Sequence, residues 1–390
     1  MDPLAGRFAN AGHEVTAIRP EPIGGETIPE LMEGVCQNVK YYYLSKYSRS
    51  YSLITRFKYL IEMIRMVKRV NEKEDYDIIR AISLMPGYAA VRAKQGLKTK
   101  VVTNLSDFYS DMYGLFKLPL AFGVTRFLRK IEEKVVRESD LLFVDSPTQR
   151  EYWVNWGLNA KKCSVVPNPI LPEVFNPKVE GQSIRKKHNI QNAKIILYQG
   201  DISELDGIET LILAAQDILR EINNAIFMIV GSGYNRYIKE LVNLVHKKGL
   251  SDSFIFTGWV PYTDVPKYIA AADVGVAPFK LSLTSNSNIM YKVTEYLSCG
   301  KPVVASRSNG LVEMLGNKIS LVNPDDKNAL ANRLVEVLRD HDFTRKTKGR
   351  LKTFHERITY DAVANHQEVL MRHVMDDKCN DYRIFDYSLN

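Results

Sequence analysis

The feature that most limits what this chain can fold into is an alternation of short β-branched runs with longer helical stretches, broken once by prolines. Strand-like runs fall at residues 13–18, 101–104, 141–145 and 163–166, with helical stretches such as 51–71 and 121–138 between them. The alternation resumes with strands at 194–199, 225–230, 253–257, 274–277, 302–305 and 320–322. Helices are predicted there at 208–221, 235–248, 265–271, 288–298, 311–315 and 328–338. Such a pattern predicts parallel sheets covered by helices on both faces.

The break is Pro167-Asn168-Pro169-Ile170-Leu171-Pro172, followed by Phe175-Asn176-Pro177. Prolines this dense continue neither a helix nor a central strand, so an interdomain linker belongs here. The chain of 390 residues then divides into two doubly wound α/β domains, 1–170 and 171–375, with a polar, aromatic tail at 376–390. Ligands of such sheets bind beyond the carboxyl ends of the strands, which points to a cleft between facing domains. One feature at the front is unusual. Residues 3–11 read as a helix that leads into the strand at 13–18, whereas a doubly wound domain opens with a strand and a glycine turn before that helix. The first sheet is therefore expected to carry a gap, and the chain to be incomplete at its front.

Hydrophobic residues make up 45% and charged residues 25%, a globular balance that argues against disorder. No apolar run approaches the ~20 residues of a membrane-spanning helix, and the first residues contain no apolar core of a secretory signal. The four cysteines show no CxxC spacing and the seven histidines form no close cluster. Free thiols in a reducing cytoplasm, and no metal, are the expectation. Net charge is +8, and the first 170 residues carry 25 Lys and Arg against 19 Asp and Glu. An anionic membrane, a phosphorylated substrate, nucleic acid or simply a basic soluble surface would each account for that. No nucleic-acid-binding module is recognisable, so nucleic acid is not an expected partner.

The most informative segment runs from Ser285 to Ser306. In it Ser287 or Asn286 is placed to cap a helix beginning near Asn288, with Gly300 at its exit and Pro302 opening the next strand. A helix start presents backbone N–H groups to an anion. Lys292 and Glu295, three apart, share one helix face. The lysine supplies a cation for a phosphate, and the glutamate two acceptor oxygens for a vicinal diol such as ribose. A plain surface ion pair has the same spacing.

This segment resembles the retaining glycosyltransferases of GT-B fold, in particular glycosyltransferase family 4 (glycosyl transferases group 1). Further pieces follow in family order: Gly12-His13-Glu14-Val15-Thr16, Val165-Val166-Pro167-Asn168-Pro169, Leu197-Tyr198-Gln199-Gly200, Gly207-Ile208-Glu209-Thr210-Leu211, Val230-Gly231-Ser232-Gly233, Phe256-Thr257-Gly258-Trp259-Val260 and Ala272-Asp273-Val274-Gly275-Val276-Ala277-Pro278. The resemblance covers most of the chain. It implies two Rossmann-like domains and metal-independent transfer of a sugar, with retention, from a UDP- or GDP-sugar to an acceptor, with no separate cofactor. By the same resemblance Glu295 holds the donor ribose, the Val260 backbone lies against the base, and amides near Met290 and Tyr291 take the diphosphate beside Lys292. Gly200, Gly231 and Gly233 let backbone approach the donor, with Ser287 and Asn288 beside it. A dinucleotide turn is the other reading of Gly231 and Gly233, but Arg236 stands where GxGxxG needs its third glycine.

The chain also departs from the pattern. Ser287 stands where many relatives have a second acidic residue that holds the sugar. Asp201 and Asp206 stand where many have basic residues, so this loop is not expected to touch the phosphates as theirs does. Ser106 stands at the histidine of a His-Asp strand end, and Asp107 reads either as a site residue or as a helix cap. Asp107 and Ser287 are thus the weak catalytic candidates. His13, at a helix exit, reads as structural. Residues 113–134 interleave Leu115, Phe116, Leu118, Leu120, Phe122 and Phe127 with Lys117, Arg126, Arg129, Lys130 and Lys134. That pattern fits an interfacial helix on anionic lipid or a core helix with a solvated face. Lipid-linked or cell-surface polysaccharide acceptors, and peripheral attachment to the inner face of a membrane, are the associated expectations. The alternative function is a GT-B scaffold subunit with little or no catalysis.

Overall fold

The computed structural model describes residues 3–21, 38–45, 53–115, 121–340 and 356–376. The described residues form two compact units, one up to Pro167 joined by the helix Tyr360–Met375, and one over Asn168–Thr359. The linker prolines do mark the change of unit. The helix Tyr360–Met375, however, joins the first unit, where the sequence reading had placed it in the second. Val363, Leu370, Met371 and Val374 share a core with Leu4 and Phe8. Arg80 Nε donates to Gln367 Oε1 at 2.9 Å, and His13 lies 3.1 Å from Glu368. A return of the chain is set by which apolar faces meet, which chain order does not reveal.

In the first unit the strands are β1 (Val15–Pro20), β2 (Val39–Leu44), β3 (Ile78–Ile82), β4 (Lys100–Asn104), β5 (Leu141–Val144) and β6 (Cys163–Val165). All pairings are parallel, but they form two sheets, β1–β2 and β3–β4–β5–β6. A cavity of about 1530 Å³ is lined by β1 and β3 along their whole lengths, and by Phe8 and Phe127. The sequence reading missed β2 and β3. The first is Tyr-rich and partly exposed, and the second is five residues that follow a helix running on to Glu74.

The helix Ala121–Glu138 buries Leu128, Ile131, Val135 and Val136 and exposes Arg126, Phe127, Arg129 and Lys130. It is a core helix with a basic face. Residues 116–120 and the tail from 377 lie outside the described residues. No described helix is long and apolar enough to cross a membrane.

The second unit contains one six-stranded parallel sheet of β7 (Lys194–Gln199), β8 (Ala225–Val230), β9 (Phe254–Gly258), β10 (Val274–Ala277), β11 (Val303–Ser306) and β12 (Ser320–Val322). Its order is β12–β11–β10–β7–β8–β9. Chain direction across the sheet reverses between β7 and β10, the switch point at which doubly wound sheets bind ligands. The inner strands β7, β8, β10 and β11 are near-continuous buried apolar runs because both faces are covered. Ile195 and Leu197 enter one core while Ile196 and Tyr198 enter the other, as period-two alternation requires.

Candidate functional site

The carboxyl end of β7 is Gln199-Gly200, at the switch point. Gly200 has φ +130°, and its neighbour Gly231, at the end of β8, has φ +136°. A Cβ on Gly231 would lie 1.9 Å from the Gly200 carbonyl oxygen, and one on Gly233 would lie 1.8 Å from that of Ile202. These two glycines thus let the loops after β7 and β8 touch each other. Ile202 N–H donates to the Ser232 carbonyl at 2.9 Å across that contact.

The informative segment folds as the helix Leu283–Ser287, an extended break, and the helix Tyr291–Ser298. The second helix therefore begins three residues later than predicted. Met290, not Ser287 or Asn286, is its N-cap, and no side chain caps it. Ser287 Oγ donates instead to the carbonyls of Leu283 and Thr284 at 2.8 and 3.2 Å, inside its own short helix. Asn286 Oδ1 accepts from Asn309 N–H at 3.1 Å. Asn288 is buried in the break.

Glu295, one turn into the second helix, is only 5% exposed. Gln199 Nε2 donates to its Oε2 at 2.5 Å, and the Tyr262 hydroxyl donates to its Oε1 at 3.3 Å. Burial pushes the carboxyl up to about 7, against the pull of those hydrogen bonds and of the Lys292 charge. Lys292, on the same face, lies beside Gly200, where a Cβ would come 3.3 Å from its amine. The Lys292 amine donates to the Tyr198 hydroxyl and to Asp206 Oδ1, both at 2.8 Å. The surface i,i+3 pair is thereby excluded, since both side chains point inward to other partners. Asp206, read from sequence as an unmatched anion, is the counter-ion of Lys292. Val260 packs on the core beside an exposed Trp259 in the loop after β9.

So Gly200, Lys292 and Glu295 come together at one strand end, with Gly231 and Gly233 holding the adjoining loop. Sequence reasoning missed Gln199, Tyr198 and Tyr262. Gln199 left a signal, as the one polar side chain closing the apolar run Ile195–Tyr198. Tyr262 left none.

In the first unit, Asp107 lies two residues ahead of the helix Tyr109–Leu115. Burial raises its carboxyl, opposed by a hydrogen bond from Tyr109. The Tyr109 phenol is pushed up to about 12, mainly by burial, and its oxygen is 2.6 Å from Ser83 Oγ. Ser106 donates to Asp145 Oδ1 at 2.9 Å, so the residue at the histidine position serves a buried loop network. Cys163 and Cys299 are buried free thiols.

Two family models cover most of the chain: Glycosyltransferase Family 4 over residues 2–174, and Glycosyl transferases group 1 over residues 193–340. The chain belongs to the family 4 glycosyltransferases. The chain is 26% identical over 243 residues to a GDP-mannose-dependent alpha-(1-6)-phosphatidylinositol monomannoside mannosyltransferase of Mycobacterium tuberculosis. That match spans 61% of this chain and 61% of the relative's own length. It is 21% identical to the N-acetyl-alpha-D-glucosaminyl L-malate synthase of Bacillus anthracis, over 97% of this chain and 93% of that one. Among solved structures it is similar to sucrose-phosphate synthase from Thermosynechococcus elongatus, with TM-score 0.76, 22% identity and coverage of 96% and 92%. Anabaena HepE in complex with UDP-glucose matches with TM-score 0.70, 16% identity and coverage of 92% and 99%. The fold is GT-B.

Proposed function

We propose that this chain transfers a glycosyl group from a nucleotide-sugar to an acceptor, with retention and without an essential metal. The observation that carries the proposal is the meeting of Gly200, Lys292 and Glu295 at the switch point of the second sheet. In this reading Glu295 accepts hydrogen bonds from the ribose diol, Val260 borders the base, and the start of the helix Tyr291–Ser298 faces the diphosphate. A helix start with no side-chain cap suits an anion, and its dipole adds to the attraction. These groups hold the leaving phosphates in the place a metal takes elsewhere.

The reaction breaks the bond from the anomeric carbon to phosphate and forms one from that carbon to the acceptor oxygen. The leaving phosphate oxygen takes the acceptor's proton on the same face, so no external base is required. The protein's part is to stabilise the departing phosphate and the oxocarbenium-like centre. Of the two donor classes, GDP-mannose is named for the mycobacterial relative and UDP-glucose for the HepE complex. A lipid-linked or polysaccharide acceptor, with peripheral attachment to the cytoplasmic face of a membrane, is supported by the exposed Phe127 among Arg126, Arg129 and Lys130.

The second reading is a scaffold subunit of the same fold. It is favoured by Ser287, whose hydroxyl is spent inside its helix, and by the pairing of Lys292 with Asp206. A screen of UDP- and GDP-sugars by thermal shift tests donor binding, because a ligand that binds only the folded state raises its stability. Donor turnover, with the anomeric configuration of the product read by NMR, then separates enzyme from scaffold. Binding without transfer or hydrolysis supports the scaffold.

A further inference from the structure

Asp206 is held more firmly than an incidental surface partner of Lys292 would be. Its Oδ1 takes the Lys292 amine at 2.8 Å. Its Oδ2 takes the Ser203 backbone N–H at 3.1 Å and the Ser203 hydroxyl at 2.6 Å. Both oxygens are therefore anchored. The next residue, Gly207, has φ +68°, and a Cβ there would lie 1.8 Å from the Pro278 carbonyl oxygen, so the backbone is pinned as well. The Lys292 and Asp206 side chains are 12% and 15% exposed. The lysine amine also rests 4.3 Å from the centre of the Tyr198 ring and bonds its hydroxyl. Burial raises the Asp206 carboxyl, but the lysine charge and the hydrogen bonds around it hold it below its ordinary range.

We propose that Asp206 sets the affinity of this site for diphosphate, by standing as a fixed counter-anion on the lysine that an incoming diphosphate would otherwise meet as a bare cation. This rests on the reading of the site as a nucleotide-sugar site. The anchored loop cannot swing the carboxylate away, so the anionic ligand meets a nearly neutral pair and depends on backbone amides for its attraction. A weakly held nucleoside diphosphate leaves quickly, which favours turnover over product inhibition.

The test is calorimetric titration of the full chain with UDP and GDP, and with uridine and guanosine, at low and high salt. The variants are Asp206→Asn, Lys292→Ala and the double substitution. Asparagine keeps an acceptor for Ser203 while removing the charge. Asp206→Asn should bind the preferred nucleoside diphosphate about tenfold tighter at low salt, as expected for one partly screened unit charge. The gain should shrink at high salt, be absent for the nucleoside, and vanish when Lys292 is alanine. Unchanged or weaker diphosphate binding by a folded Asp206→Asn chain overturns the proposal alone, and so does a gain that survives without Lys292. A wild-type chain that binds no nucleoside diphosphate overturns the reading of the site, and the proposal with it. If Asp206→Asn does not fold, Asp206→Ser, which keeps a small capping oxygen, is read by the same outcomes.

Discussion

Gln199 Nε2 donates to Glu295 Oε2 at 2.5 Å, joining the end of β7 to a helix 96 positions later in the chain. With Tyr262 on the other oxygen, the carboxylate is fixed in direction before any ligand arrives. Rigid placement of this kind reduces the ordering cost of binding.

Replacing Glu295 by Gln keeps the size but removes the charge. Charge-assisted hydrogen bonds contribute roughly 1.5–3 kcal/mol, so donor affinity should fall about tenfold or more while the fold survives. Titration with UDP- and GDP-sugars checks this, and unchanged affinity in a folded variant removes Glu295 from the donor site.

The same carboxyl makes stability depend on pH. Its folded value of about 7 lies above the ordinary 4.5. Between those values the folded chain keeps a proton that the unfolded chain has released. Stability therefore falls as pH rises through that window, by about 3 kcal/mol at most from this group. Urea unfolding at pH 5 and pH 8 should show a smaller difference for Glu295→Gln than for wild type, with the variant the more stable at pH 8. A steeper loss in the variant would contradict this account.

Gly231→Ala should damage the second unit. Strained backbone at a positive φ costs about 1–3 kcal/mol, and the added Cβ would lie 1.9 Å from a carbonyl oxygen that cannot retreat without breaking the β7–β8 loop contact. Thermal melting of the full chain should show a lower midpoint, and an unshifted midpoint would mean that the loops are looser than the contact implies.

Phe127 is 53% exposed beside Arg126, Arg129 and Lys130. Cosedimentation should favour anionic over neutral vesicles and weaken with salt, as the Debye length shrinks from about 10 Å at 0.1 M to 3 Å at 1 M. Phe127→Ser should lower the bound fraction. Binding indifferent to lipid charge would exclude this face as a membrane contact.

Much of the molecule was legible before folding. Apolar runs such as Ile195–Tyr198 and Val303–Ala305 announce strands covered on both faces, because only that environment accepts a side chain of either parity. The prolines at 167–172 mark the change of unit, because a ring without an N–H ends regular structure wherever it stands. Lys292 and Glu295 share a face by helical period alone. The strands at 39–44 and 78–82 were less visible, being partly exposed and short.

The sequence by itself determined the alternation, the parallel sheets, the break between units and the shared helix face of Lys292 and Glu295, since each is encoded in local period and residue type. Only the tertiary structure decided what those residues touch. It turned Asp206 from a misplaced charge into the partner of Lys292, aimed Gln199 and Tyr262 at Glu295, and carried the helix Tyr360–Met375 back to the first unit. Those outcomes depend on which strand ends and apolar faces are brought together across long stretches of chain, and no local pattern records that.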